Sequence, residues 1–247
     1  SGTASFDSTD NAITDSGTLA ITGATTIDAG TADITLTEAA STFGSLSLTG
    51  ANVAVTENDA TELAASTVSG TFDIISGGAI TNSGALAITG ASTFTNTAGT
   101  NAAITLNNAG NAFTGTVGFT TDSGSAVTVV DTTALDLQAL TAASLSVTAG
   151  GDVTDSGTLA ITGATTIDAG SGNITLTEAA STFGALALTG VNVSVVENAA
   201  MELAASTISG TASFDSTDNA ITDSGTLAIT GATTIDAGTA DITLTEA

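Results

Sequence analysis

Residues Asp15–Ala40 read DSGTLAITGATTIDAGTADITLTEAA, and residues Asp155–Ala180 read DSGTLAITGATTIDAGSGNITLTEAA. Within both stretches apolar residues alternate with small or polar ones, as in the triplets LAI and ITL. A period of two is typical of β-strands, and the Thr-Gly and Ala-Gly steps between the triplets are typical of turns. No window shows a sustained helical period, and Asp59–Ser66, where Ala and Glu cluster, is predicted to be loop or strand. The pattern therefore predicts short strands joined by tight turns.

The whole chain is built by repetition. Ser1–Ala39 is identical to Ser209–Ala247, at an offset of 208 residues. The string SGTLAITG begins at Ser16, Ser156 and Ser224, and its variant SGALAITG begins at Ser83. These starts define diverged repeat units at 16–82, 83–155 and 156–223, with 224–247 beginning the next. We expect residues 1–247 to be one continuous segment of a longer tandem array.

The strands are too short to be stable alone, so each must share hydrogen bonds and apolar contacts with its neighbours in the repeat. Parallel stacking of successive turns provides both. We predict an all-β, right-handed parallel β-helix, or β-solenoid, of about 10–11 turns with about 23 residues per turn. An antiparallel sandwich or barrel is the competing fold. It would favour Asn-Gly or Asp-Gly hairpin turns, and neither dipeptide occurs in the chain. Phe43, Phe113 and Phe183 recur at matching places and are predicted to pack inward.

Composition excludes several classes of function. The chain has 25 acidic residues and no Lys, Arg, His or Cys. Without basic residues it cannot neutralise phosphates, so we expect no nucleic-acid partner and no docking on anionic lipid. Without His or Cys it lacks the usual zinc ligands. No apolar run approaches the roughly 18 residues that a membrane span requires, so we expect no membrane insertion in this segment.

Carboxylates are the strongest chemical groups available, and they are the kind of hard oxygen ligand that calcium requires in sets of six to eight. The candidate ligands lie in the string FDSTDNAITDSG and its copy, namely Asp7, Asp10, Asp15, Asp215, Asp218 and Asp223. A second acidic string, TENDATE, contains Glu57, Asn58, Asp59 and Glu62. The fixed calcium motif GGxGxDxUx is missing. We therefore expect no firm metal site and no other cofactor. Because the acids recur with the scaffold and have no basic partner, we predict no catalytic residue and no enzyme activity.

The strings LAITGATTIDAG, ITLTEAASTFGSLSLTGANVAV and LSVTAGGDVTDSG resemble repeats of filamentous-haemagglutinin-type proteins, which are giant bacterial surface exoproteins and autotransporter-like adhesins. The resemblance covers nearly the whole chain. It implies a right-handed parallel β-helix, export through two-partner or autotransporter-like secretion, and a place at the bacterial cell surface or outside the cell. It also implies a role in adhesion or in an extracellular matrix. The lack of every basic residue sets this chain apart from many relatives.

From the repeats and the resemblance together we predict a structural rod module of a giant extracellular filament, adhesin or matrix protein. Its expected partner is itself, stacked end to end or laterally into fibres. The alternative is a calcium-dependent binding module that recognises a surface glycan or a neighbouring cell.

Overall fold

The computed structural model describes residues 2–98, 101–122 and 124–245 of the chain. These residues fall into two compact units, Ser1–Thr132 and Thr133–Ala247, and each is described by itself. Within the described residues the regular structure is all strand, with no helix. Segment Asp59–Ser66 contains the strand Thr61–Leu63, as its sequence predicted.

The described residues of the first unit form sixteen short strands. They are β1 Ala4–Asp7, β2 Ile13–Thr14, β3 Ala20–Asp28, β4 Ile34–Leu36, β5 Thr42–Gly50, β6 Val53–Glu57, β7 Thr61–Leu63, β8 Ser66–Val68, β9 Phe72–Ser76, β10 Ile80–Asn82, β11 Leu86–Ile88, β12 Ser92–Asn96, β13 Ile104–Leu106, β14 Ala112–Phe113, β15 Thr116–Thr120 and β16 Ala126–Asp131.

In the second unit the part of the chain that the structure describes also forms sixteen strands. They are β17 Leu135–Leu137, β18 Leu140–Ala142, β19 Ser144–Ala149, β20 Val153–Asp155, β21 Leu159–Ile161, β22 Thr165–Asp168, β23 Ile174–Leu176, β24 Ala185–Gly190, β25 Val193–Val196, β26 Met201–Leu203, β27 Ser206–Ile208, β28 Ala212–Asp215, β29 Ile221–Asp223, β30 Leu227–Ile229, β31 Thr233–Asp236 and β32 Ile242–Thr243.

Each unit is a β-solenoid in which parallel strands of successive turns are stacked. One strand from each turn is stacked on the matching strand of the next turn, and together these strands form a column within a parallel sheet. In the first unit the order of strands in this column is β2, β4, β6, β9, β12, β15. In the second unit the order is β17, β20, β23, β25, β28, β31. Each column therefore contains six turns. All the residue registers between described strands are parallel, for example Ile34 opposite Val53 and Val53 opposite Phe72. The predicted fold class, an all-β solenoid of stacked parallel strands, is confirmed.

The turns are shorter and more numerous than the sequence predicted, at about 12 turns with about 20 residues each. Some connections between strands are very short, and only Ala64 and Ala65 separate β7 from β8. The sequence-based estimate divided the 208-residue repeat into nine turns. Several turns are shorter than that average: Leu46 and Leu63, for example, lie on successive turns and are stacked on each other although they are only 17 residues apart.

Inward-facing aliphatic and aromatic side chains fill the interior of each unit. Phe43, Phe113 and Phe183 are 6%, 0% and 5% exposed, which confirms their predicted inward packing. Glycine next to Phe43 permits close contact between turns, because a Cβ on Gly44 would lie 2.4 Å from the carbonyl oxygen of Thr22. The turns are therefore held at strand-pairing distance even at a corner.

Candidate functional site

Three of the six predicted calcium ligands, Asp7, Asp215 and Asp223, end a strand, and the other three, Asp10, Asp15 and Asp218, lie in connections between strands. Asp10 and Asp218 occupy the same place in the two identical segments. Both adopt a left-handed backbone, with φ of 64° and 63°. The Oδ1 atom of Asp10 accepts a hydrogen bond from the amide of Thr31 at 2.8 Å, and that of Asp218 accepts one from Thr239 at 3.0 Å. Each carboxylate therefore caps the turn that follows it.

Asp15 and Asp223 cap the following turn in the same way. The two carboxylate oxygens of Asp15 accept hydrogen bonds from the amides of Thr37 and Glu38, both at 3.2 Å. The Oδ1 atom of Asp223 accepts one from Thr245 at 2.6 Å. These aspartates are half-buried, and the backbone N–H groups give their carboxylates charge-assisted hydrogen bonds.

Asp155 is the related residue in the second unit. Its oxygens accept hydrogen bonds from the amides of Thr177 at 2.9 Å and Glu178 at 3.3 Å. Burial raises the pKa of Asp155, and these two amides oppose the rise. At this corner the cost of removing the carboxylate from water is therefore opposed by its hydrogen bonds to two amides of the next turn.

Asp7 and Asp215 are bonded within their own turns. Their Oδ1 atoms accept hydrogen bonds from the amides of Thr9 at 3.1 Å and Thr217 at 2.9 Å. Asp7 is stacked on Asp28 of the next turn, and the same arrangement recurs for Asp215. Two acidic side chains thus occupy neighbouring strand positions, closer together than the roughly 8 Å over which salt screens charges.

The structure does not gather these acids into a common site. Among residues 2–98, 101–122 and 124–245, no three carboxylates come together in a way that could hold a metal ion. The acidic string from Glu57 to Glu62 is also divided, because Glu57 is buried in the interior at 2% exposure. Calcium binding stays a prediction, and the geometry assigns the six aspartates to backbone amides.

A ladder of side-chain amides, which the sequence reasoning missed, runs up one corner of each unit. In the first unit the Oδ1 atom of Asp33 accepts hydrogen bonds from the backbone and side-chain amides of Asn52, at 3.0 and 2.9 Å. The Oδ1 atom of Asn52 then accepts one from the amide of Thr71 at 3.0 Å. In the sequence of the first unit, the sign of this ladder is a polar residue that comes just before a strand and recurs every 19 residues.

The ladder is longer in the second unit. Asp152 accepts hydrogen bonds from Asn173, Asn173 accepts them from Asn192, and Asn192 accepts them from Thr211. The backbone amide distances along it are 2.7, 3.2 and 3.0 Å. Each polar side chain therefore ties one turn to the next, as Asn ladders do in stacked parallel strands.

Three buried acids form a second feature that the sequence reasoning missed. Glu57, Asp131 and Glu197 are all at most 2% exposed. Each accepts a hydrogen bond from the backbone amide of one of the recurring phenylalanines: Phe43 at 2.7 Å, Phe113 at 3.2 Å and Phe183 at 2.5 Å. The recurrence of these phenylalanines was visible in the sequence, but their acidic partners lie 14 to 18 residues further on at an irregular spacing.

A cavity of about 380 Å³ opens at the first turn, between Phe6, Leu19, Ile27 and Leu36. The half-buried Asp15 is the one ionisable group among the residues that line it. Its carboxylate is already bonded to two amides, so the cavity offers no paired acid and base.

No helix in the described part of the chain could cross a membrane. The search of curated proteins and the search of solved structures gave no match. A model of a repeat family matches four consecutive stretches, residues 1–49, 50–120, 124–189 and 190–247. Together they cover nearly the whole sequence. The chain therefore belongs to the family described as repeats of unknown function, DUF5649.

Proposed function

We propose that this chain is a structural module of an extracellular filament, adhesin or matrix protein, with no catalytic activity of its own. The observation that carries the proposal is the use of its polar side chains. Asp10, Asp15, Asn52, Asn192 and their counterparts each bond to an amide of the next turn. A solenoid reinforced turn by turn in this way suits a mechanical role.

Placement outside the cell rests on the resemblance to filamentous-haemagglutinin-type repeats. Membership of a repeat family and the solenoid fold agree with such a protein at the level of architecture. The sequence adds a further argument, since a chain without Lys or Arg offers trypsin-like proteases no site. Both arguments favour a bacterial cell-surface protein.

The expected partner is another solenoid of the same kind. Strands at the end of a stack present unpaired backbone groups, which pair readily with further strands. Lateral contact between two such chains would have to overcome a net charge of −25 on each. End-to-end stacking is therefore favoured over lateral bundling at low ionic strength.

Single-molecule pulling on the full chain, held by both termini, tests the mechanical role. We expect discrete unfolding steps at forces well above those of thermal noise, because pulling must break several strand ladders at once. Smooth extension at low force would overturn the proposal. Incubation with surface polysaccharides tests the absence of catalysis. Cleavage of the polysaccharide or the appearance of new reducing ends would contradict it.

A further inference from the structure

Two of the buried acids occupy equivalent places in the two units and differ in one partner. The string TENDATEL at residues 56–63 corresponds to VENAAMEL at residues 196–203. Glu57 is bonded through both oxygens, since Oε1 accepts from the amide of Phe43 and Oε2 accepts from the hydroxyl of Thr61 at 2.9 Å. In the second unit Met201 stands where the first unit has Thr61.

This replacement leaves Glu197 half satisfied. Its Oε1 atom accepts from the amide of Phe183 at 2.5 Å. Its Oε2 atom is fully buried and has no hydrogen-bond partner among the described residues. The thioether of Met201 has no proton to donate. An ionised Glu197 would therefore be a buried charge supported by a single amide, which is an expensive arrangement in a protein interior.

No neighbouring group offsets that charge. The chain contains no Lys, Arg or His. The acids on the elements packed against Glu197 are Glu178 and Glu202, which are exposed, and Asp215, which is half-buried and bonded to Thr217. Burial raises the pKa of Glu197 to about 7, and the amide of Phe183 opposes the rise.

We propose that Glu197 is a proton-sensitive latch in the second unit. In its neutral form it holds the corner of Phe183 against β26, and loss of the proton loosens the turn between β25 and β26. The equivalent acid of the first unit is better supported: burial also raises the pKa of Glu57, but the hydroxyl of Thr61 bonds to its second oxygen and opposes the rise. The latch would let a small change of pH near neutrality open one turn without unfolding the rest.

The direction of the effect follows from linkage. The folded chain holds the proton of Glu197 up to a pH of about 7. The unfolded chain releases it near pH 4.5, the ordinary pKa of a glutamate side chain. Stability of this turn is therefore greatest at low pH and is lost as the pH rises from about 4.5 to beyond 7.

Amide hydrogen exchange on the full chain at pH 6 and pH 8.5 tests the proposal, with each rate divided by the intrinsic rate at that pH. For the amides of Phe183 and β26 we expect protection to fall about tenfold between the two conditions. The variant Glu197→Gln carries a neutral side chain of the same shape, so its protection should stay constant. An equal fall in wild type and Glu197→Gln would overturn the proposal.

A reciprocal exchange provides the matched control. Met201→Thr should give Glu197 its missing partner and reduce the fall in protection, and Thr61→Met should create a similar fall around Phe43. Should Glu197→Gln fail to fold, Met201→Thr decides the matter, because it keeps the carboxylate. A fall in Met201→Thr as large as in wild type, or a Thr61→Met variant that behaves like wild type around Phe43, would reject the latch.

Discussion

The same 39 residues occur at both ends of the chain, and the structure gives them opposite burial. Phe6 is 39% exposed, whereas Phe214, its identical counterpart, is 1% exposed. The difference comes from the turn before it. Phe214 is stacked on Val195 of the preceding turn, and β1 has no described strand before it. Identical residues are thus core or surface according to whether a turn lies beneath them.

Near the end of the repeated segment the burial is reversed, and the first copy is the buried one. Leu36 is 2% exposed and its counterpart Leu244 is 42% exposed. Leu36 is covered because Val55 of the next turn is stacked on it. The strand registers, by contrast, are the same in both copies, since Ile13 pairs with Ile34 and Ile221 pairs with Ile242. Sequence therefore determines register, and neighbouring turns determine burial.

The largest expected difference concerns the two phenylalanines. Phe214→Ala should destabilise the second unit by about 3–5 kcal/mol, because it removes a fully buried ring from a packed interior. Phe6→Ala should cost less than half as much, since that ring is already partly in solvent. Denaturant unfolding followed by local hydrogen exchange would measure both. Equal costs at the two positions would contradict the comparison.

Leu36→Ala and Leu244→Ala test the other side of the repeated segment. Leu36→Ala should lower the free energy of unfolding by about 2–4 kcal/mol, because it removes a buried side chain. Leu244→Ala should lower it by about 1 kcal/mol or less, because that side chain is already partly in solvent. Thermal melting of both variants beside wild type provides the measurement. A larger effect at Leu244 than at Leu36 would show that burial in the structure does not report the energetics.

Asp10 and Asp218 should behave alike, because each has a following turn to cap. Replacement by Ala should cost about 1–2 kcal/mol at either position, from loss of a charge-assisted hydrogen bond. Replacement by Asn should be close to neutral, because its side-chain oxygen keeps the acceptor and Asn tolerates a left-handed backbone. Melting curves for the four variants check this. Unequal costs for the two Ala variants would mean that the caps depend on more than the local segment.

The smallest effect is expected from calcium. If the aspartates serve as caps, millimolar calcium or a chelator should shift the melting temperature of either unit only slightly, through screening of the net charge. A large stabilisation by calcium that disappears in Asp10→Asn or Asp218→Asn would instead support the binding-module alternative.

Much of the architecture could be predicted because the period of two and the tandem repeats leave few other folds. The inward residues followed from the same alternation, as with Phe43 and Phe183. The length of a turn could not be predicted, because a corner as short as Ala64–Ala65 is invisible to spacing arguments. The partners of polar residues were also beyond reach. Asp33 and Asn52 are joined across turns, and the sequence shows only that both precede a strand.

The most direct test adds further turns of the repeat ahead of the turn that contains Phe6. Residues 173–208, which precede the second copy of the repeated segment, would be placed ahead of Ser1, and Phe6→Ala would be measured in the extended chain. The account predicts that the cost of this substitution rises to that of Phe214→Ala, because Phe6 then has a turn beneath it. A cost that stays as low as in the original chain would contradict the claim that stacking of turns creates the core.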